Sequence, residues 1–163
     1  MNNKKRILFV IYCLILIWII LFKLSFSLEE IQALRGVSNI NLIPFHYDTE
    51  TSIHFKEVIL NILIFVPFGL LTIMMHFNLR KSLIIGFGFS FVMEAGQYIF
   101  RLGSSDITDL ITNTLGTIVG VILYVLLLRI FRNRDKVDRI LIIFTFIGIF
   151  LFVCLALMLM MAN

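Results

Sequence analysis

Charged side chains are scarce in this sequence. Asp, Glu, Lys and Arg make up 15% of its 163 residues, against about 25% in an ordinary soluble domain. Cysteine is nearly absent. Cys13 and Cys154 each lie inside an apolar run without metal-ligand spacing, so they read as small packed hydrophobes and a disulfide scaffold is excluded. There is no GxxxxGK[ST] phosphate cradle, no HExxH, no CxxC pair and no GxSxG elbow. That leaves no recognised catalytic motif and no cofactor to expect. Low-complexity stretches are missing as well, which excludes a disordered tail.

Apolar residues take up the difference. They form 60% of the chain, with seventeen Phe among them, and the mean hydropathy is +1.03. One core of this size has no room for so much Leu, Ile and Phe. The excess faces lipid, and a cytosolic enzyme is excluded. A spanning helix needs about 20 mostly apolar residues. Five segments are read as such helices: Ile7–Phe22, with a possible extension to Leu28, then Val58–Met75, Ser82–Phe100, Leu110–Phe131 and Ile140–Met161. The runs are unbroken and lack barrel-strand alternation, and lipid satisfies no backbone polar groups. The fold class predicted is therefore all-α: a multi-pass transmembrane helix bundle in one domain, residues 1–163, with a long outer loop at 23–57.

The first run imitates a signal peptide. Lys4, Lys5 and Arg6 precede it, and Ser25-Phe26-Ser27 resembles a cleavage site. Its apolar stretch exceeds the usual 7–15 residues of a signal core, which favours an uncleaved anchor.

Five spans sort the basic residues ten to four. Lys4, Lys5, Arg6, Arg80, Lys81, Arg129, Arg132, Arg134, Lys136 and Arg139 share one side, and Lys23, Arg35, Lys56 and Arg101 the other. Basic residues mark the cytoplasmic face, so the amino terminus is predicted inside and the carboxyl terminus outside. The net charge of +4 is thereby a topology signal. No basic-aromatic groove for nucleic acid is seen, and the partners expected first are membrane lipids.

Polar residues gather at one depth. Glu94, Gln97 and Arg101 follow i, i+3, i+7 spacing on the third helix, which sets them on one face. Asp106, Asp109 and Asn113 open the fourth, and that face continues through Gly116 and Gly120, a GxxxG pair that permits close helix approach. Asn61 lies near the start of the second, after His54 and Glu57. Glu94 sits six residues before its helix ends, roughly 9 Å in at 1.5 Å per residue. Three helices thus present polar faces in the outer leaflet. Pro67, followed by Gly69, is expected to kink or loosen the second helix. An ionisable residue inside the membrane is a functional hypothesis by default. Glu94, Asp106 and Asp109 are also a weak divalent-ion set, or an acid and base pair. The same amides and carboxylates suit a sugar or amide-rich headgroup, and equally a structural network between helices.

Together these residues carry a resemblance. Asn41-Leu-Ile-Pro-Phe45, Asn61 before Ile64-Phe-Val-Pro-Phe-Gly-Leu70, Glu94-Ala-Gly-Gln97, then Asp106-Ile-Thr-Asp109 with Asn113, Gly116 and Gly120 resemble the VanZ family over roughly residues 7–140. The resemblance implies a bacterial multi-pass membrane protein associated with reduced susceptibility to teicoplanin-type glycopeptides, with no settled reaction. It implies a polar pocket of Asn61, Glu94, Gln97, Asp106, Asp109 and Asn113, with Arg101 as partner. Three readings follow: a binding or envelope-modifying protein that engages a lipid-linked cell-wall component or a lipoglycopeptide, a metal-assisted transferase or hydrolase of a lipid-linked headgroup, and a structural or partner-docking protein.

Overall fold

The computed structural model describes residues 3–22, 39–45 and 51–162. The predicted extension to Leu28, the cleavage-like Ser25-Phe26-Ser27, and the charges Lys23 and Arg35 lie outside them. The described residues are helical almost throughout: α1 (Asn3–Phe22), α2 (Thr51–Met74), α3 (Leu79–Phe100), α4 (Ile107–Phe131) and α5 (Arg134–Ala162), with two-residue strands β1 (Ile40–Asn41) and β2 (Ser105–Asp106).

Every helix starts three to seven residues before its apolar run. The amino ends of α3 and α4 are capped. Asn78 accepts a hydrogen bond from the backbone N–H of Lys81, and Asp106 from that of Thr108, each satisfying an otherwise orphaned donor. The largest change is in α2. It starts at Thr51 rather than at 58, so part of the predicted outer loop is helix and His54 meets Glu57 one turn on, at 3.1 Å. The helix also runs unbroken through Pro67.

Among the described residues, four helices are long and apolar enough to cross a membrane: His54–Met74, Leu79–Phe100, Ile107–Phe131 and Arg134–Met158. Expectation had five. α1 is 20 residues long, but its first turn carries Lys4, Lys5 and Arg6, and it does not meet the same measure among the described residues. The four suffice for a membrane protein, since they present large apolar side chains outward, such as Ile84, Phe91, Ile122, Phe144 and Phe150.

The tightest packing joins α2 to α4, which run parallel, and α3 lies antiparallel against α4. The α2–α4 seam is made by absence of side chains. A Cβ on Gly116 would stand 2.3 Å from the carbonyl oxygen of Ile62, and one on Gly120 would stand 2.1 Å from that of Val66. Gly69 faces the same seam, against the Thr117 carbonyl. α1 closes the other side of α2 through Leu16, Phe65 and Phe68, with Phe89 of α3 stacked in at 5.2 Å from Phe68. Leu8, Leu71, Met74, Tyr124, Val137 and Leu141 bring α5 in at the far end.

The two short strands settle where residues 39–45 lie. They pair in parallel, Ile40 with Ser105 and Asn41 with Asp106. The Phe45 N–H then donates to Thr108 Oγ1 at 3.0 Å. This segment is therefore clasped onto the first turn of α4, where the polar residues of three helices also end.

Candidate functional site: a polar network at the start of α4

Asp106 is the hub, because it caps a 25-residue helix. Its Oδ1 accepts from the Thr108 N–H at 2.7 Å and its Oδ2 from Asn41 Nδ2 at 3.1 Å. Its own N–H donates to Glu94 Oε2 at 2.9 Å. Three residues on, in the first turn of α4, Asp109 Oδ1 accepts from Asn61 Nδ2 of α2 at 2.7 Å. The amino end of a helix carries roughly +0.5 of an elementary charge. Three carboxylates held around it are stabilised where isolated ones in hydrocarbon would cost about 2.5–3.5 kcal/mol each.

The remaining expected residues divide. Asn113 lies one turn deeper, where its Nδ2 donates to Ser90 Oγ of α3 at 2.9 Å. Gln97 turns away from α4, and its Nε2 donates to the Ile20 carbonyl of α1 at 2.9 Å. Arg101 leaves the group altogether. α3 ends at Phe100, and Arg101 is its cap in the left-handed conformation at φ 55°. The i+7 position that would have returned it to the Glu94 face does not exist once the helix stops. Its side chain is exposed, and among the described residues it pairs with no carboxylate. The Leu102 N–H closes the turn onto the Gln97 carbonyl at 2.9 Å.

One property unites the buried members. Glu94 Oε1, Gln97 Oε1 and Asn113 Oδ1 are buried without a hydrogen-bond partner, in side chains only 4%, 4% and 2% exposed. A buried unpaired polar atom costs about 1–3 kcal/mol. The amide nitrogens of Asn61, Gln97 and Asn113 are meanwhile each bonded within the protein. The network therefore has buried acceptors to spare, while each of those amide nitrogens already makes one hydrogen bond. Chemically it is fitted to meet hydroxyl, amide or ammonium N–H and O–H groups. It is not fitted to be the primary contact of an anion.

Among the described residues, no three His, Cys, Asp or Glu side chains come together to hold a metal ion. Glu94 meets the Asp106 backbone N–H and Asp109 meets the Asn61 amide, so the ion-dependent transferase reading gains no geometric support. Sequence reasoning placed no role on Ser90 or Thr108, and took Asn41 only as part of a motif. The signal for Asn41 was available in that motif. For Ser90 it was the i, i+4 spacing to Glu94.

Comparisons with known proteins agree on one relationship. A family model described as VanZ/LLP1 matches residues 9–132. Protein VanZ of Enterococcus faecium is 40% identical over 159 residues, covering 93% of this chain and 89% of that protein. No solved structure matches. The family match takes in most of α1, all of α2 to α4 and the whole network described above, and it ends just short of α5.

Proposed function

The chain belongs to the VanZ family, and from that premise we propose that it is a multi-pass membrane protein that lowers susceptibility to teicoplanin-type glycopeptides. It does so through the network at the start of α4, which binds a lipid-linked component of the cell envelope. In this reading α1 is a fifth span, and the ten-to-four division of basic residues that five spans produce favours a cytoplasmic amino terminus and an outer carboxyl terminus. The network then lies at outer-leaflet depth, where headgroups of wall precursors and the lipid tail of a lipoglycopeptide are both in reach.

The observation that carries the proposal is the excess of buried acceptors. Glu94 and Asp109 are the charged acceptors, and Asn61, Gln97 and Asn113 orient them. A glycan- or amide-bearing headgroup supplies the donors that Glu94 Oε1, Gln97 Oε1 and Asn113 Oδ1 lack. Arg101, exposed on the rim, is the cation available to a phosphate or carboxylate of the same ligand.

Glu94→Ala and Asp109→Ala are each expected to abolish protection against teicoplanin in a susceptible host, at membrane protein levels equal to wild type. Full protection in both variants overturns the proposal. A purely architectural role makes a different prediction for Gln97→Ala and Asn113→Ala. Protection would then fall only in proportion to thermal stability in detergent. Binding predicts protection lost beyond the roughly 0.6 kcal/mol that an interhelical hydrogen bond contributes.

A further inference from the structure

The network as it stands is shut. A ligand that supplies a donor to Glu94 Oε1 must reach an oxygen that has no hydrogen bond and lies in a side chain 4% exposed. The helices around it have little freedom to part. α2 and α4 meet backbone to backbone at Gly116 and Gly120, and α3 meets α4 at Gly86, where a Cβ would stand 2.5 Å from Thr117 Oγ1. Asn113 and Ser90 tie α3 to α4 as well.

Residues 39–45 are held differently. None of them is buried, so no core packing fixes them. Hydrogen bonds tie them to the start of α4. The Asn39 carbonyl accepts from the Ser105 N–H at 2.9 Å, Asn41 Nδ2 donates to Asp106 Oδ2 at 3.1 Å, and the Phe45 N–H donates to Thr108 Oγ1 at 3.0 Å. The Asn41 amide is itself steadied, its Oδ1 accepting from the Ile43 N–H at 3.1 Å. These ties land on Asp106, whose backbone N–H occupies the other oxygen of Glu94, and on Thr108, which is 1% exposed. Two properties favour release. Phe45 is left-handed at φ 56°, a strained conformation for a bulky side chain. Ile40, Leu42, Ile43 and Phe45 are 47–70% exposed, while Asn41 is the member bonded to the network. Apolar groups at the rim of a bilayer swing through hydrocarbon without the cost of entering water.

We propose that residues 39–45 are a lid on the start of α4, and that a lipid-carried ligand reaches Glu94 from the bilayer side only when this lid lifts. Lifting breaks the Asn41–Asp106 and Phe45–Thr108 hydrogen bonds. The N–H or O–H groups of the ligand then take over the freed Asp106 Oδ2 and reach Glu94 Oε1. Asn41 is the latch, since its amide closes the site with the same kind of donor that the ligand brings. The inference rests on the binding role proposed above.

Two measurements test the lid, both in the full-length chain with Cys13→Ala and Cys154→Ala. Ile40 and Ser105 face each other across the paired strands. Neighbouring strands stand about 4.8 Å apart, within the roughly 4.4–6.8 Å between Cα atoms that a disulfide spans. Ile40→Cys with Ser105→Cys therefore locks the lid on oxidation. The locked protein should give no protection against teicoplanin, and reduction should restore protection to the level of the chain without the pair. Full protection with the disulfide formed in most molecules overturns the proposal. The second measurement needs no protection assay. Thr108→Cys places a thiol under the lid, and its alkylation by a small water-soluble maleimide in detergent follows lid opening. Adding Asn41→Ala should speed alkylation about tenfold, the lower end of what a hydrogen bond to a charged acceptor contributes. Equal rates with and without Asn41→Ala overturn the proposal, even if the locked pair fails to fold. If the wild-type chain gives no protection at all, the binding role fails, and the alkylation rates still decide whether the lid opens.

Discussion

Asp138→Ala is expected to destabilise the detergent-solubilised protein by about 3–5 kcal/mol, the loss seen when one partner of a buried ion pair is removed. Asp138 is 3% exposed and lies between Lys5, 133 residues away in sequence, and the Tyr124 hydroxyl. Its removal leaves the Lys5 ammonium, itself well covered, with no counter-charge, and the tyrosine hydroxyl with no acceptor. Tyr124→Phe removes only the hydroxyl and should cost about 1.5–3 kcal/mol, the worth of a hydrogen bond to a charged group. The triple variant Lys5→Met, Asp138→Leu, Tyr124→Phe should recover most of the loss, since apolar replacement of a whole buried ionic cluster is often neutral. Equilibrium unfolding followed by circular dichroism measures all three. A triple variant no more stable than Asp138→Ala would mean that the packing of Asp138, not its charge, is what matters. The cluster also explains how α5, whose outer face is mostly exposed, stays on the bundle. Arg134 adds a second tie, donating to the Ile73 carbonyl at the end of α2 at 2.9 Å while lying 5.8 Å over the Tyr124 ring.

None of that cluster was legible in the sequence. Asp138 reads as one of several charges before an apolar run, and Tyr124 as an aromatic within one. A pairing across 133 residues has no local periodicity to announce it. The helices themselves were legible because lipid leaves few alternatives to a long apolar run, but their ends were not. Apolar runs mark what must be buried in hydrocarbon, whereas helices continue into polar flanks wherever a cap such as Asn78 or Asp106 is supplied. The candidate site was half legible. Helical spacing brought Glu94, Asp106, Asp109 and Asn61 to one end correctly as faces, since i, i+3 and i+4 positions move together. It failed where the helix itself stopped: Arg101 was counted one residue beyond the last turn of α3, and a left-handed residue there turns the chain aside. The tilt of Gln97 toward Ile20 of α1 depended on a neighbour that no pattern within α3 could name.

The GxxxG pair shows the same boundary between pattern and partner, and it leads to the other large effect. Gly116 and Gly120 on α4 announce a close approach, but the sequence does not say to what. The partner is α2, running parallel, with Gly69 contributing from its side. Gly120→Ala would set a Cβ 2.1 Å from the Val66 carbonyl oxygen and 2.9 Å from the Leu70 nitrogen, and Gly116→Ala would set one 2.3 Å from the Ile62 carbonyl. These neighbours are mostly backbone, which yields only if the helices part. The expected cost is at the upper end of overpacking, about 3 kcal/mol for each, and larger for valine. Gly88→Ala is the control, since a Cβ there meets nothing within 4 Å. It should be neutral or gain up to about 1 kcal/mol from helix propensity. The two seam variants should differ in one further respect. Ile62 is the neighbour of Asn61, so parting the helices at Gly116 draws Asn61 Nδ2 off the Asp109 carboxylate, a bond of 2.7 Å, whereas Gly120 lies a turn farther from the network. If the seam positions the site, Gly116→Ala loses more protection than Gly120→Ala at matched stability. Equal losses would show that the seam only holds the bundle together.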